Sequence, residues 1–107
     1  GRAPALCEYR LPSGAVVAVR ELPVSGGGLG WRVWVGALLL AEWIGAHAAD
    51  LEGLRVLELG SGLGLPGLCA AQAGVEEVVL TDCLAALVSN LRASIALNAT
   101  RTPPRTT

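Results

Sequence analysis

Apolar and polar positions follow two different rhythms along the 107 residues. From Leu6 to Glu21, short apolar stretches flank Pro12, Ser13 and Gly14, and this turn-rich break predicts a β-hairpin. Ser25 to Gly30 (SGGGLG) reads as a flexible connection. The following WRVWVGALLLAEWIGAHAAD is apolar nearly all the way round at helical length, which predicts a buried helix. Its longest apolar run, Val33 to Ala41, is far short of the roughly 20 residues a membrane span needs. No membrane partner is expected.

DLEGLR at 50–55 turns the chain, and VLEL at 56–59 and VVLT at 78–81 are short continuous apolar runs suited to buried parallel strands. Between them Leu65 to Ala73 read as a short helix. Pro66 is tolerated there because an N–H in the first turn would have no partner within the helix, and Gly74 is the expected stop. From Leu84 to Asn98 apolar residues recur at Leu84, Leu87, Val88, Leu91 and Ile95, the stripe of an amphipathic helix. RTPPRTT, polar with two prolines, predicts a frayed tail.

The order strand, glycine loop, helix, strand, helix predicts an α/β fold: a right-handed βαβα half of a doubly wound sheet behind a hairpin and a helix. The expected division is a hairpin and glycine-rich connection over 1–30, a half-domain over 31–99 and a disordered tail over 100–107.

Composition narrows the class. Hydrophobic residues make up 52% and charged residues 16%, too apolar for a disordered chain. The formal net charge is −1 and the eight basic residues, all Arg, form no cluster, so a nucleic-acid partner is not expected. The three cysteines, Cys7, Cys69 and Cys83, are widely spaced and form no CxxC pair. Neither a disulfide framework nor a metal site is predicted, and a reducing, cytoplasmic compartment fits. With no Met and Gly1 at its start, the chain reads as an excised fragment.

The candidate chemistry lies in VLELGSGLGLPGLCAAQAG, residues 56–74. Gly60, Gly62 and Gly64 alternate directly after the strand, so the backbone can take positive φ and a ligand can approach without meeting a Cβ. In open α/β sheets ligands bind beyond the carboxyl ends of the strands, which places Asp82, at the end of VVLT, in the same crevice. GLGLPG at 62–67 is a literal GxGxxG, and with Asp82 it raises a dinucleotide reading. The register opposes that reading. The glycine at the strand end is Gly60, which puts Leu65 in the third glycine position, and Pro66 removes an N–H where a pyrophosphate would need one.

Glu58, two residues before Gly60, would repel a diphosphate and attract a cation. S-adenosylmethionine carries a sulfonium and an ammonium, lacks phosphate and has ribose hydroxyls that need an acceptor. Glu58 toward the ammonium end and Asp82 on the ribose suit it.

ELGSGLG after a strand, LTDC at the next strand end and the Trp-bearing helix in front resemble the seven-strand, Rossmann-like class I methyltransferases. Within that class, WRVWVGALLLAEWI, VLELGSGLGLPGLCAAQAG and VVLTDC are most similar to the protein-lysine methyltransferases that act on non-histone proteins. The resemblance implies that Glu58, Gly60, Ser61, Gly62 and Gly64 contact the methionine and ribose portions of the cofactor. It implies Asp82 on the ribose, Cys83 beside the adenine and Trp34 as one wall of the pocket. Asn98 matches as well, with Ser94 where the family usually has Asn, whereas the family's acidic-to-aromatic motif after a later strand has no counterpart here.

The resemblance implies a protein substrate methylated on lysine, with the catalytic residues outside this chain. It also implies a C-terminal half, or a partner, that covers the sheet edges, and no transfer by the 107 residues alone. Two rivals stand beside it: an NAD-dependent oxidoreductase unit and a non-catalytic interaction remnant. Plainer readings hold elsewhere: Glu42 as a rim carboxylate, His47 as a helix-end residue, Trp31 and Trp43 as packing, and Cys69 and Cys83 as small buried hydrophobes.

Overall fold

The computed structural model describes residues 5–10, 14, 16–22, 33–99 and 105–106. β1 (Ala5–Arg10) and β2 (Val16–Glu21) form the expected antiparallel hairpin, with Ala5 opposite Glu21 and Arg10 opposite Val16. Pro12 and Ser13 of its turn, the whole SGGGLG connection and Trp31 lie outside the described residues.

Next come α1 (Val35–Ala46) and a single turn, α2 (Ala48–Leu51). β3 (Arg55–Glu58), α3 (Leu65–Gln72) and β4 (Glu77–Leu80) make the βαβ unit, followed by α4 (Ala85–Asn98) and β5 (Arg105–Thr106). β3, β4 and β5 pair in that order as a parallel sheet, with Glu58 beside Leu80. The predicted α/β half-sheet is therefore present.

α3 is the centre of the core. Seven of its eight residues, Leu65 to Ala71, are buried, because LPGLCAAQ is small or apolar on every side. It packs against α1, β3, β4 and β2. Leu68, Val78 and Leu80 meet Val17 and Val19 of the hairpin in one cluster.

The long helix expected from residue 31 onward begins only after Trp34, whose backbone is extended (φ −86°, ψ 157°). It also ends at His47, whose backbone leaves the helical region (φ −112°, ψ 23°). Nor is it buried: only Ala41 and Ile44 are, while Leu39, Leu40 and Trp43 are exposed. One side of α1 meets α3, and no described element covers the rest. β3 differs in the same way. Val56 is half-buried, but Leu57 is 62% exposed on the opposite face. An apolar run is buried on both faces only when helices cover both faces of its sheet. Among the described residues, no helix is long and apolar enough to cross a membrane.

The expected frayed tail needs correction at Arg105–Thr106, which pair in parallel with Glu77 and Val78. Strand pairing uses backbone groups that every non-proline residue carries, so a polar composition does not exclude it.

Helix α4 also carries more than an apolar stripe. Its buried face includes Asn90, Ser94 and Asn98, one helical turn apart. Asn98 accepts from Ala18 N (3.0 Å) and donates to Ala18 O (2.7 Å), and Ser94 Oγ accepts from Arg20 N (3.1 Å). Asn90 donates to Arg20 O (2.8 Å), and Gln72 of α3 donates to Val16 O (2.8 Å). Side chains thus satisfy the outer edge of β2 as a neighbouring strand would, which blunts an otherwise open edge.

Asn98→Leu leaves the Ala18 N–H and C=O buried without partners, and should cost roughly 3 kcal/mol of stability. Leu97→Ala on the exposed side of the same helix should cost less than about 1 kcal/mol. Denaturant unfolding of the two variants checks the difference.

Candidate functional site

β3 and β4 end side by side, and the chain leaving each strand is tied to the other. Ser61 N donates to Thr81 O (2.7 Å), and Thr81 N donates to Glu58 O (3.1 Å) and Ser61 Oγ (3.0 Å). The Thr81 hydroxyl donates to Glu58 O at 2.8 Å. One residue further along, Gly62 N donates to Asp82 Oδ2 (3.0 Å), while Asp82 Oδ1 accepts from Cys83 N (2.8 Å) and Leu84 N (3.3 Å). The glycine loop and the β4–α4 turn are one hydrogen-bonded unit.

Gly60, Gly62 and Gly64 take φ of +63°, +55° and +88°, as their alternation predicts. A Cβ on Gly60 would meet nothing within 4 Å, whereas one on Gly64 would come 2.7 Å from the Leu91 side chain. Gly67, in the first turn of α3, lets the helix settle on Leu80 and on the Glu58 carboxylate, whose Oε1 would lie 2.9 Å from an added Cβ.

A cleft of about 860 Å³ opens over this unit. Trp34, Glu58, Gly60, Ser61, Gly62, Gly64, Asp82 and Cys83 all line it. These eight cofactor candidates therefore line one space, whereas Asn98, bonded to the hairpin, does not. A smaller apolar cavity of about 230 Å³ lies between α1, β3 and α3, and Glu58 and Pro66 line both.

The two carboxylates stand in opposite electrostatic settings. Burial pushes Glu58 above its ordinary pKa of 4.5, with the Ser61 hydroxyl and the Gly67 N–H acting the other way. Its Oε1 is buried without a hydrogen bond among the described residues. For Asp82 burial also acts upward, but the N–H groups of Gly62, Leu84 and Cys83 and the Cys83 thiol outweigh it and hold the carboxyl below 3.8. Asp82 is thus held toward its ionised form, whereas burial resists ionisation of Glu58, which a cation or a donor would favour.

Several roles come out differently from the sequence expectation. The Ser61 hydroxyl is engaged in the strand junction, with Thr81 N as donor and Glu58 O as a longer acceptor at 3.4 Å. Cys83 is exposed, not a buried hydrophobe, because it sits in the turn that Asp82 holds open above the cleft. Cys69 is buried as expected, and that burial, with Glu58 nearby, pushes its thiol up to about 12. Trp34 stays 44% exposed at the cleft wall. His47 lies away from the cleft, stacked on Trp43 at 4.1 Å with Nδ1 2.8 Å from Trp43 O.

Part of the lining was missed. Ala37 and Leu40 of α1, with Val33 just before it, form one wall, and Leu87 of α4, with Leu84 just before it, forms another. The helical spacing of Gly36, Ala37 and Leu40 was the available signal within α1, since it places them on one helical face, whereas Val33 and the extended Trp34 precede the helix. Thr81 was missed as well, although it precedes Asp82 in the LTDC stretch.

The sequence profile of the family described as lysine methyltransferase matches residues 18–105, most of the chain. The chain belongs to that family. It is similar to the protein-lysine N-methyltransferase EEF2KMT of Mus musculus, 39% identical over 101 residues, covering 92% of the chain and 30% of the relative. The histone-arginine methyltransferase METTL23 of Mus musculus is 40% identical over 77 residues, 70% of the chain and 30% of the relative. EFM2 of Saccharomyces cerevisiae, a protein-lysine N-methyltransferase, is 29% identical over 102 residues, 77% of the chain and 24% of the relative. The chain thus spans about a third or less of the length of these relatives.

Family membership settles the choice against an oxidoreductase unit, and the geometry agrees with it. Gly64 caps α3 with no side-chain hydrogen bond, Pro66 removes an N–H in the first turn, and the Glu58 carboxylate already stands beneath that turn. A carboxyl group is therefore placed where a pyrophosphate would have to bind.

Gly60→Ala should cost about 1–2 kcal/mol of stability, the strain of a positive φ alone. Gly64→Ala should cost a further 1–3 kcal/mol or so, because its methyl group also meets Leu91. Thermal unfolding of both variants measures the difference, and equal losses would contradict the crowding at Gly64.

Proposed function

We propose that this chain holds the S-adenosylmethionine-binding portion of a protein methyltransferase that acts on lysine side chains. One observation carries the cofactor assignment: Glu58, with a buried oxygen that has no hydrogen bond among the described residues, shares a cleft with Asp82, a carboxylate held ionised by backbone N–H groups. A ligand with an ammonium group and ribose hydroxyls suits both. Three positive-φ glycines leave the loop bare for its approach, and about 860 Å³ is room for a ligand of that size.

When bound, S-adenosylmethionine supplies a methyl group already activated by the sulfonium. The residues of this chain orient and shield. Glu58 balances the cofactor's positive charge, Asp82 accepts from the ribose hydroxyls, and Gly60, Gly62 and Gly64 allow close approach. Trp34, Leu40 and Leu87 exclude water from one side, and Cys83 adjoins the adenine. Alignment and a dry site are most of what such a displacement needs. An amine acceptor must also lose its proton, and none of these residues is assigned that task.

The lysine assignment draws on the family and on the names of the relatives EEF2KMT and EFM2. Arginine is the second reading, favoured by the similarity to a histone-arginine methyltransferase. The exposed Leu39, Leu57, Leu59 and Trp43 are the surface that further strands or a partner would cover. The isolated chain is expected to bind the cofactor without transferring its methyl group, and measurable turnover would overturn that.

Calorimetric titration tests the cofactor. The folded chain should bind S-adenosylmethionine and not NAD, and Glu58→Gln and Asp82→Asn should each weaken binding at least about tenfold. Because a bound cation favours ionised Glu58, whose pKa in the free chain lies above 4.5, binding should release protons. Affinity should then rise as pH climbs through that raised value and level off above it. Glu58→Gln should abolish this dependence. NAD binding instead, or pH-independent binding by the parent, would contradict the assignment.

A further inference from the structure

We propose that Thr81 is a positioning residue for the cleft: its hydroxyl grips the carbonyl of Glu58, fixing the glycine loop and with it the aim of the Glu58 carboxylate. The proposal rests on the S-adenosylmethionine reading. Thr81 itself does not line the cleft, so it acts through other residues.

The geometry concentrates on one peptide. Glu58 is the last residue of β3, and its carbonyl accepts both Thr81 Oγ1 (2.8 Å) and Thr81 N (3.1 Å). Thr81 N is shared with Ser61 Oγ (3.0 Å), and Thr81 O takes Ser61 N (2.7 Å). Both ends of the turn from Glu58 to Ser61 are therefore attached to Thr81. Between them lies Gly60, which has positive φ, an exposed position and no neighbour that a Cβ would touch. These bonds therefore hold the loop on both sides of a residue whose Cβ position is open space.

The next residue along β4's exit, Asp82, holds Gly62 N at 3.0 Å. Thr81 and Asp82 thus grip the loop at three successive points: Glu58 O, Ser61 and Gly62 N. Only Asp82 faces the ligand space. Thr81 sets the loop so that the Glu58 and Asp82 carboxylates present themselves to one ligand at a fixed spacing. A hydroxyl is needed for this, since a side chain of the same shape without one would leave Glu58 O with the shared N–H alone.

Thr81→Val keeps the shape and removes the donor, and Thr81→Ser restores the donor. The first readout needs no ligand: amide hydrogen exchange at Ser61 and Gly62 in the free chain. Exchange there should speed up at least about tenfold in Thr81→Val and stay near the parent rate in Thr81→Ser, while Leu68 in α3 is unchanged. The second readout is the S-adenosylmethionine dissociation constant under conditions where all three proteins are folded. It should rise about tenfold for Val and less than about twofold for Ser.

Faster exchange with weaker binding, both rescued by Ser, supports the proposal. Unchanged exchange at Ser61 and Gly62 overturns it. So does parent-like affinity in Thr81→Val, because a residue that only stabilised the fold would leave the affinity of folded protein intact. A parent that exchanges slowly but binds no S-adenosylmethionine defeats the cofactor reading, and the positioning of Glu58 toward that ligand falls with it.

Discussion

Two parallel strands end together, and the carbonyl of Glu58 is the point at which they are joined. It receives the Thr81 N–H and hydroxyl at 3.1 and 2.8 Å, just past the last paired residues of β3 and β4. That junction lets the chain turn back through a loop with almost no side chains. From there Gly64 can start α3 in a left-handed conformation, and Gly67 can bring the helix down onto Leu80 and Glu58. The cleft is what remains above the junction once α3 is seated. The pKa values of its two carboxyl groups are pushed in opposite directions, because one is buried under a helix and the other is ringed by backbone donors.

The α3 helix explains why so few residues suffice. A segment of small and apolar side chains can be approached from every direction, and α1, the hairpin and the parallel strands all do so. The hairpin would otherwise present an open strand edge. Asn90, Ser94, Asn98 and Gln72 close it with side-chain hydrogen bonds, so the hairpin is fixed to the same helices that frame the cleft. What stays open is the far face of β3 and the outer side of α1, where Leu57, Leu39 and Trp43 meet solvent.

Much of this was legible in the sequence because it depends on local chemistry. Alternating glycines after VLEL require positive φ, Pro66 fits only a first helical turn, and a carboxylate two residues before Gly60 must lie near the strand end. Glu58, Asp82 and the three glycines consequently meet in one cleft, and Trp34, Ser61 and Cys83, which only the family resemblance implied, line it as well. The parts that were not legible depend on what stands opposite. Nothing in the apolar pattern of α1 tells whether a second layer covers it, and the exposure of Leu39 and Leu57 is set by elements outside those segments. Counting apolar residues along α4 passes over Asn90, Ser94 and Asn98, since polar side chains are buried only when a specific partner awaits them. The strand at Arg105–Thr106 uses backbone alone, and Cys83 is exposed because Asp82 shapes its turn. Both are properties of a neighbour, not of the residue.

The account's central claim is that the glycine loop and the β4–α4 turn form one S-adenosylmethionine site. It is tested most directly by a nuclear magnetic resonance titration of the isotopically labelled chain with that cofactor. Saturable shifts centred on the amides of Gly60 to Gly64 and Asp82 to Leu84 and reaching the cleft residues Trp34, Glu58 and Leu87, with the hairpin unaffected, are the predicted result. A folded chain that shows no saturable shift, or one whose shifts fall around the cavity at Ile44 and Ala70 instead, would contradict it.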